Sequence, residues 1–452
     1  MKKRIFVFVL ILAAVIVSSF ALTASAEDRS VTEGYLTYNV SAAGATISYC
    51  SRGMGNIYIP DSVAGVPVIG VDEYAFSWCT NVSNITVSEK NAYLTVKDGV
   101  LYTRDMTNLI LFPQKSQISV LNIPASVNHI YWYAFEDCRN LTEINVDENN
   151  AFYKSCDGVL FDKDMSTLLR FPGGKKGEYK MPAGVKRLRN DAFYGSSAER
   201  IEIADTVETI GRMAFAKCDA IKEIAIPDSV KIIEYGAFMM CDLLERVRIG
   251  KGLETIEDQV FYDCERLFDF TVDPGNEIFK SPDGVLIKAD TFVQYPMAKA
   301  NRSYNVPEGV KYIEDNAFTF CKTLQSVTIP KGVVKVGRNA FQNCDSLMYV
   351  NILGSDEGTV VENNVFFECR ALTTVFFGNG VREIEGNAFC GCRNLKTITL
   401  PKSLNKVEPS AFWDCWKVET VFYGGSRQEW LDIGGYSTFG DRVMRYNSFI
   451  PA

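Results

Sequence analysis

A phenylalanine set in an Ala-Phe-like dipeptide returns eleven times along the chain, at Phe76, Phe135, Phe193, Phe215, Phe238, Phe261, Phe318, Phe341, Phe366, Phe389 and Phe412. The spacings are 59, 58, 22, 23, 23, 57, 23, 25, 23 and 23 residues. Units of about 20 to 30 residues are too short to bury an apolar face alone, so they stack and share one continuous core. This periodicity overrides what 452 residues would ordinarily suggest, which is two or three globular domains.

One unit runs from Asn316 to Arg338, NAFTFCKTLQSVTIPKGVVKVGR. Its order is turn, Cys, then L-x-x-V-x-I, Pro, and V-x-x-V-G. The middle part alternates, as in Leu395-Lys396-Thr397-Ile398-Thr399-Leu400. Alternation predicts a strand with Ile398 and Leu400 inward and Thr397 and Thr399 outward. The Pro that follows cannot donate to a ladder and ends it. V-x-x-I-G then forms a second short extended piece, and its Gly is expected to let the backbone bend before the next turn.

The three long spacings share a cassette. Asp98-Gly99-Val100-Leu101 leads to Phe112-Pro113, Asp157-Gly158-Val159-Leu160 to Phe171-Pro172, and Asp283-Gly284-Val285-Leu286 to Tyr295-Pro296. Two apolar runs around a polar middle such as Thr103-Arg104-Asp105-Met106-Thr107 predict a hairpin that enlarges a coil while the stack continues. Residues 27–60, with Tyr35-Leu36-Thr37-Tyr38 and Ala45-Thr46-Ile47-Ser48-Tyr49, alternate like a hairpin that caps the first coil. From Tyr423 the repeat fades into Trp430-Leu431-Asp432-Ile433, a short helical turn sealing the last coil. The expected organisation is a leader at 1–26, an N-terminal cap at 27–60, one elongated solenoid at 61–422 and a C-terminal cap at 423–452.

The run IPDSVKIIEYGAFMMCDLLERVRI (Ile226 to Ile249), its sister repeats, the DGVL cassettes and the end motif Tyr423-Gly424-Gly425-Ser426 with Trp430 resemble the BspA-like, or Treponema pallidum-type, leucine-rich-repeat proteins. The resemblance spans essentially the whole chain after the leader. It implies a right-handed, mainly β leucine-rich-repeat solenoid with parallel strands lining a concave face, in a family associated with bacterial surfaces, adhesion and binding of host or matrix components. It implies no catalytic site, and no binding residue carries across by motif.

Ten of the thirteen cysteines lie three residues after the repeat Phe: Cys79, Cys138, Cys218, Cys241, Cys264, Cys321, Cys344, Cys369, Cys392 and Cys415. The eleventh copy has Ser196 there. A slot that takes Cys or Ser calls for a small side chain with a donor, suited to turn carbonyls inside the stack. Equivalent Cβ atoms on neighbouring coils stand about 4.8 Å apart, beyond the roughly 3.8 Å of a disulfide, so a reduced ladder is expected although exported proteins commonly pair their cysteines. Cys50, Cys156 and Cys390 fall outside it, and Cys390-Gly391-Cys392 has the alternative reading of a redox pair.

The ladder strings its sulfurs along an axis instead of converging four ligands, so no metal is expected. His129, the one histidine, reads as a surface residue, not the partner of a catalytic Cys. No phosphate-cradling glycine loop follows a strand, and Gly173-Gly174-Lys175-Lys176-Gly177 reads as a loop tip. No cofactor is expected. A pair of carboxylates in a shallow site remains the one enzymatic alternative, that of a glycoside hydrolase.

Lys2, Lys3 and Arg4, the apolar run Ile5 to Leu22 and Ala24-Ser25-Ala26 make a Sec-type signal peptide cut after Ala26, with an uncleaved membrane anchor as the alternative. Cleavage removes those three basic residues and no acid, taking a net charge of −8 to −11. That charge disfavours nucleic acid. An extracellular or cell-surface protein is expected, monomeric, with no membrane span after cleavage. Asn81-Val82-Ser83 and Asn140-Leu141-Thr142 match glycosylation sequons, a pattern that arises easily by chance.

If the repeat positions build the stack, recognition belongs to the outward strand positions. These read Asn84 and Thr86, Glu143 and Asn145, Arg200 and Glu202, Glu223 and Ala225, Arg246 and Arg248, then Ser326 and Thr328, Tyr349 and Asn351, Thr374 and Phe376, Thr397 and Thr399, Thr420 and Phe422. Tyr349, Phe376 and Phe422 form the candidate binding stripe, against the alternatives of cross-strand pairing or cover by the cap. Arg246 and Arg248 either pair with Glu223 and Asp269 on adjacent coils or recognise an anionic partner. The expected function is binding or adhesion to an extracellular protein or glycan. The other readings are a self-associating or wall-binding envelope protein and the shallow hydrolase.

Overall fold

The computed structural model describes residues 29–448 apart from Arg52, Met54, Trp78, Thr80, Tyr436, Ser437 and 440–442. The proposed leader lies outside the described residues. The chain forms two compact units, residues 1–163 and 164–452.

In the first unit, Arg29–Glu33, Leu36–Ser41 and Gly44–Cys50 make an antiparallel meander, and Val66–Val71 joins Gly44–Cys50 in parallel. Asn56–Ile59 pairs in parallel with Asn84–Val87, and Val120–Ile123 with Glu143–Val146. The first DGVL cassette is a three-stranded meander of Leu94–Lys97, Val100–Thr103 and Asn108–Leu111, whose last strand runs parallel to His129–Ile130. The second supplies the hairpin Tyr153–Cys156 and Val159–Asp162.

The second unit repeats one coil. Parallel strands of the L-x-x-I-x-I type form two sheets in turn, the first of Glu223–Ile226, Arg246–Ile249 and Asp269–Val272, the second of Ser303–Asn305, Ser326–Ile329, Tyr349–Ile352, Thr374–Phe377, Thr397–Leu400 and Thr420–Tyr423. Short strands from V-x-x-I, mostly of two residues, pair in parallel on the next side of the coil, as in Tyr312–Ile313 beside Lys335–Val336. Alternation sets the register: Ile398 and Leu400 are fully buried while Thr397 and Thr399 face outward. The third cassette keeps the pattern with antiparallel Phe279–Lys280, Leu286–Lys288 and Thr291–Gln294, and a short 3-10 turn at Pro282–Gly284 carries its Asp-Gly.

Both the turn and the cassette hold features that the sequence reading did not assign. The glycine of V-x-x-V-G is not the bend. Gly337 has no left-handed φ; a Cβ there would stand 2.7 Å from the Ile313 carbonyl, so it answers to close approach of the preceding coil. The bend is made two residues before and two after the repeat Phe, at Asn339 (φ 56°) and Asn343 (φ 56°) and their equivalents. Phe112, Phe171 and Tyr295, which close the cassettes, occupy the same slot as the repeat Phe. Their N–H groups donate to Ala134, Ala192 and Ala317, as Phe193 donates to Ala214.

The phenylalanines stack face to face: Phe171–Phe193 at 4.9 Å between centroids, Phe193–Phe215 at 4.8 Å, Phe318–Phe341 at 4.4 Å, Phe341–Phe366 at 5.0 Å and Phe389–Phe412 at 4.9 Å. The last coil is closed by Met444–Arg445, which extends the strand sheet, and by a helix at Arg427–Asp432. Ser426 and Glu429 form a capping box at its start. The Ser426 backbone N–H, then Lys402, hold the Glu429 carboxyl down at about 2. Trp430 is buried beneath this cap, 5.3 Å from the Tyr423 ring.

Candidate functional site

The conspicuous side chains of the repeat are consumed by the stack. Ladder thiols donate to the carbonyl of the preceding coil's turn: Cys218 to Phe193 at 3.1 Å, Cys241 to Phe215 at 3.0 Å, Cys264 to Phe238 at 3.1 Å, Cys344 to Phe318 at 3.1 Å, Cys369 to Phe341 at 3.0 Å, Cys392 to Phe366 at 3.2 Å and Cys415 to Phe389 at 3.1 Å. Cys138 reaches Phe112 at 3.7 Å. Ser196 instead accepts the Ala198 N–H. Cys50 lies outside the Cys column but in the turn stack: its N–H donates to Ala75 and its carbonyl accepts the Cys79 thiol.

All thirteen cysteines are free thiols, and burial pushes Cys241, Cys264, Cys321, Cys369 and Cys392 well above the usual thiol range. A thiol held neutral is a poor nucleophile. In the native chain a thiol reagent is therefore expected to modify only the half-exposed Cys156, Cys390 and Cys415, and all thirteen after denaturation. Rapid native labelling of Cys241 or Cys369, or thiols missing after unfolding, would contradict this. His129 is exposed and bonded to Glu73 at 2.8 Å. Among the described residues no group of three His, Cys, Asp or Glu is placed to hold a metal ion, and no helix is long and apolar enough to cross a membrane.

The outward strand positions remain. They form two columns, because residues i and i+2 of every strand share a face. In the second unit one column runs Ser326, Tyr349, Thr374, Thr397, Thr420 and the other Thr328, Asn351, Phe376, Thr399, Phe422. Tyr349 is 53% exposed and Phe422 38%, with Phe376 half-buried. The three do not make a single stripe. Phe376 and Phe422 share a column with Thr399 between them, roughly 10 Å apart along it, and Tyr349 stands in the neighbouring column one strand before Phe376. No ionisable group other than Tyr349 occupies either column between that residue and Phe422.

Farther toward the N-terminus of this unit the face is charged. Arg246 pairs with Glu223 at 2.7 Å and lies over the Phe268 ring at 4.8 Å. Arg248 falls opposite Ala225 and Thr271, not Asp269, and makes no ion pair among the described residues. Glu202, Ile224, Ala225 and Arg248 are among the residues that line an open hollow of about 650 Å³. Electrostatically the face thus has a charged stretch with one uncommitted guanidinium and a neutral Thr, Asn and aromatic stretch.

A coil of parallel strand, Pro, short strand and stacked Phe turn defines a leucine-rich-repeat solenoid. The pattern of the BspA type leucine rich repeat region matches residues 47–157, 176–281 and 287–419, with six copies. That is more than half of the chain, which belongs to this family. No curated protein matches it as a relative. Among solved structures it resembles a leucine rich cell surface protein of Faecalibacterium prausnitzii A2-165, at 23% identity over 91% of this chain and 99% of that one with a TM-score of 0.53. It also resembles the pneumococcal vaccine antigen PcpA, at 18% identity over 93% and 97% with a TM-score of 0.51. At these identities the likeness is one of fold.

Proposed function

We propose that the chain is an exported, non-enzymatic binding protein of the cell surface, which adheres to an extracellular protein or glycan through the outward face of its strand sheet. The patch of Tyr349, Phe376 and Phe422 is the centre of recognition. The observation that carries this reading is the division of labour within the coil: the repeat Phe, Cys and Leu are buried in the stack, whereas the two outward strand columns differ from coil to coil and carry exposed aromatics. Rigid aromatic side chains gain the most contact area for the least ordering cost, which is why they dominate binding hot spots. Arg248, free of an ion pair, is the cation left to meet an anionic group on the same partner.

The families of the two structural neighbours' names, a cell surface protein and a vaccine antigen, agree with a surface location. The reduced cysteine ladder suits a protein whose thiols are sealed from oxidants by burial. With the wild-type chain binding an immobilised matrix protein or glycan, Tyr349→Ala with Phe376→Ala is expected to weaken that binding at least tenfold, the loss of about one hot-spot residue. The thermal midpoint should change little, because Tyr349 is exposed. Unchanged affinity in the double variant removes the patch from the proposal.

A further inference from the structure

Between ordinary neighbouring coils, the residue four before the repeat Phe donates its N–H to a carbonyl of the coil before, as Glu234 does to Ile210 at 2.9 Å and Glu257 to Ile233 at 3.0 Å. A cassette interrupts this. The coil after the first cassette gives that bond to the cassette itself, from Tyr131 to Leu109 at 3.0 Å, and the coil after the third does the same from Glu314 to Phe292 at 3.0 Å. The coil before each of these cassettes is left with a carbonyl to satisfy, that of Val71 at the first break and that of Ile256 at the third.

The two breaks differ in how they are closed. Across the first, side chains of the later coil reach back to the earlier one: the Tyr131 hydroxyl donates to the Val71 carbonyl at 3.1 Å, His129 bonds Glu73 at 2.8 Å, and the Tyr133 ring lies 5.6 Å from that of Tyr74. Counted from the repeat Phe, the same positions at the third break hold Glu314, Tyr312 and Asn316 on the later coil and Ile256, Asp258 and Gln259 on the earlier. The carboxylate of Glu73 is kept as Asp258, its histidine is gone, and a second acid stands where the bridging tyrosine was. The result is a hollow of about 90 Å³ lined by Ile256, Asp258, Gln259, Glu314 and Asn316. Among the described residues the Asp258 and Glu314 carboxylates make no hydrogen bond or ion pair, and no donor reaches the Ile256 carbonyl, whose strand is the last of its sheet.

We propose that this hollow receives an arginine side chain of a partner protein, whose guanidinium takes the place that His129 and Tyr131 fill at the first break. The acceptors select this occupant. Two carboxylates, one from each side of the break, and a carbonyl call for a planar cation with several N–H donors; a guanidinium has five in a fork, whereas lysine has three around one point. An anion would meet the carboxylates of Glu257, Asp258, Glu314 and Asp315 against the single ammonium of Lys288. Among the described residues no group of three His, Cys, Asp or Glu is placed to hold a metal ion there. The volume is room for about six waters, enough for a side-chain head and too little for a folded segment. The N–H groups of Gln259 and Phe261 lack acceptors among the described residues, but so do those of Tyr74 and Phe76 at the first break, so they mark a cassette and not a ligand. The site is built on the short strands and is independent of the outward columns of the long ones.

Titration of the full chain with the acetylated, amidated pentapeptide Gly-Ser-Arg-Ser-Gly, followed by the methyl resonance of Ile256, tests this. A saturable shift is expected, about tenfold weaker in affinity for the lysine version and absent for the citrulline version, which keeps the shape and loses the charge. Asp258→Asn with Glu314→Gln should weaken arginine binding about tenfold or more and leave the thermal midpoint in place, because neither carboxylate has a partner to lose. Tyr312→His with Glu314→Tyr rebuilds the bridge of the first break and should abolish binding. If that variant does not fold, the Asn and Gln variant decides alone. Tyr349→Ala should leave binding unchanged. No saturable shift, equal binding of the citrulline peptide, or arginine binding undiminished in the Asn and Gln variant overturns the proposal.

Discussion

Replacing Phe366 by Ala is expected to destabilise the second unit by about 3–5 kcal/mol, the usual range for removing a buried aromatic ring. Phe366 is fully buried and sandwiched between Phe341 at 5.0 Å and Phe389 at 4.9 Å, so the deletion opens a void that interrupts the stack on both sides. Its backbone bonds, donating to Ala388 and accepting the Cys392 thiol, are untouched by the change, which isolates the ring's contribution. Phe366→Leu keeps most of the volume and should cost less than about half as much. Denaturant unfolding followed by a probe in this unit measures both. In a quasi-one-dimensional stack the loss is local, so a large drop in the midpoint of the first unit would contradict the assignment.

The second large effect is expected at Asn150, which is fully buried in the first unit. Its amide donates to the carbonyls of Pro124 and Val127 at 2.9 and 2.8 Å, and its oxygen accepts from the N–H groups of Phe152 and Tyr153, both at 2.8 Å. Asn150→Ala takes the side-chain partner from four backbone groups, the Val127 carbonyl fully buried and the others partly so, a loss of about 3 kcal/mol. Asn150→Asp preserves the shape but turns a carboxylate oxygen toward two carbonyls, so it should be as damaging as Ala. Tolerance of Asp would show that packing, not hydrogen bonding, governs the site. Asn91 and Asn276 make the same four bonds in the other cassettes.

These asparagines show where sequence reasoning stops. Strand alternation, the Pro stops, the turn cysteines and the family were legible because each repeats with every coil and has one physical reading. The cassette asparagines repeat only three times, always seven residues before the Asp of DGVL, at Asn91, Asn150 and Asn276. An Asn in a loop ordinarily reads as solvent-facing, and only the folded coil shows it buried. Phe112, Phe171 and Tyr295 precede the next repeat Phe by 23, 22 and 23 residues, the spacing of the short repeats, and that number alone identifies them as ladder members.

The outward positions were legible as outward because strand parity is strict. Their grouping was not, since which residues share a column depends on register between coils. That register places Tyr349 beside Thr374, and not in line with Phe376.

The central claim is that repeat positions build the solenoid and outward strand positions recognise the partner. Hydroxyl-radical footprinting of the chain, alone and bound to the matrix component or glycan retained best on an array, tests it most directly. Oxidation of Tyr349, Phe376 and Phe422 should fall on binding while that of Tyr312, also exposed but on the other sheet, stays the same. Unchanged oxidation of the three aromatics in a saturated complex would contradict the claim.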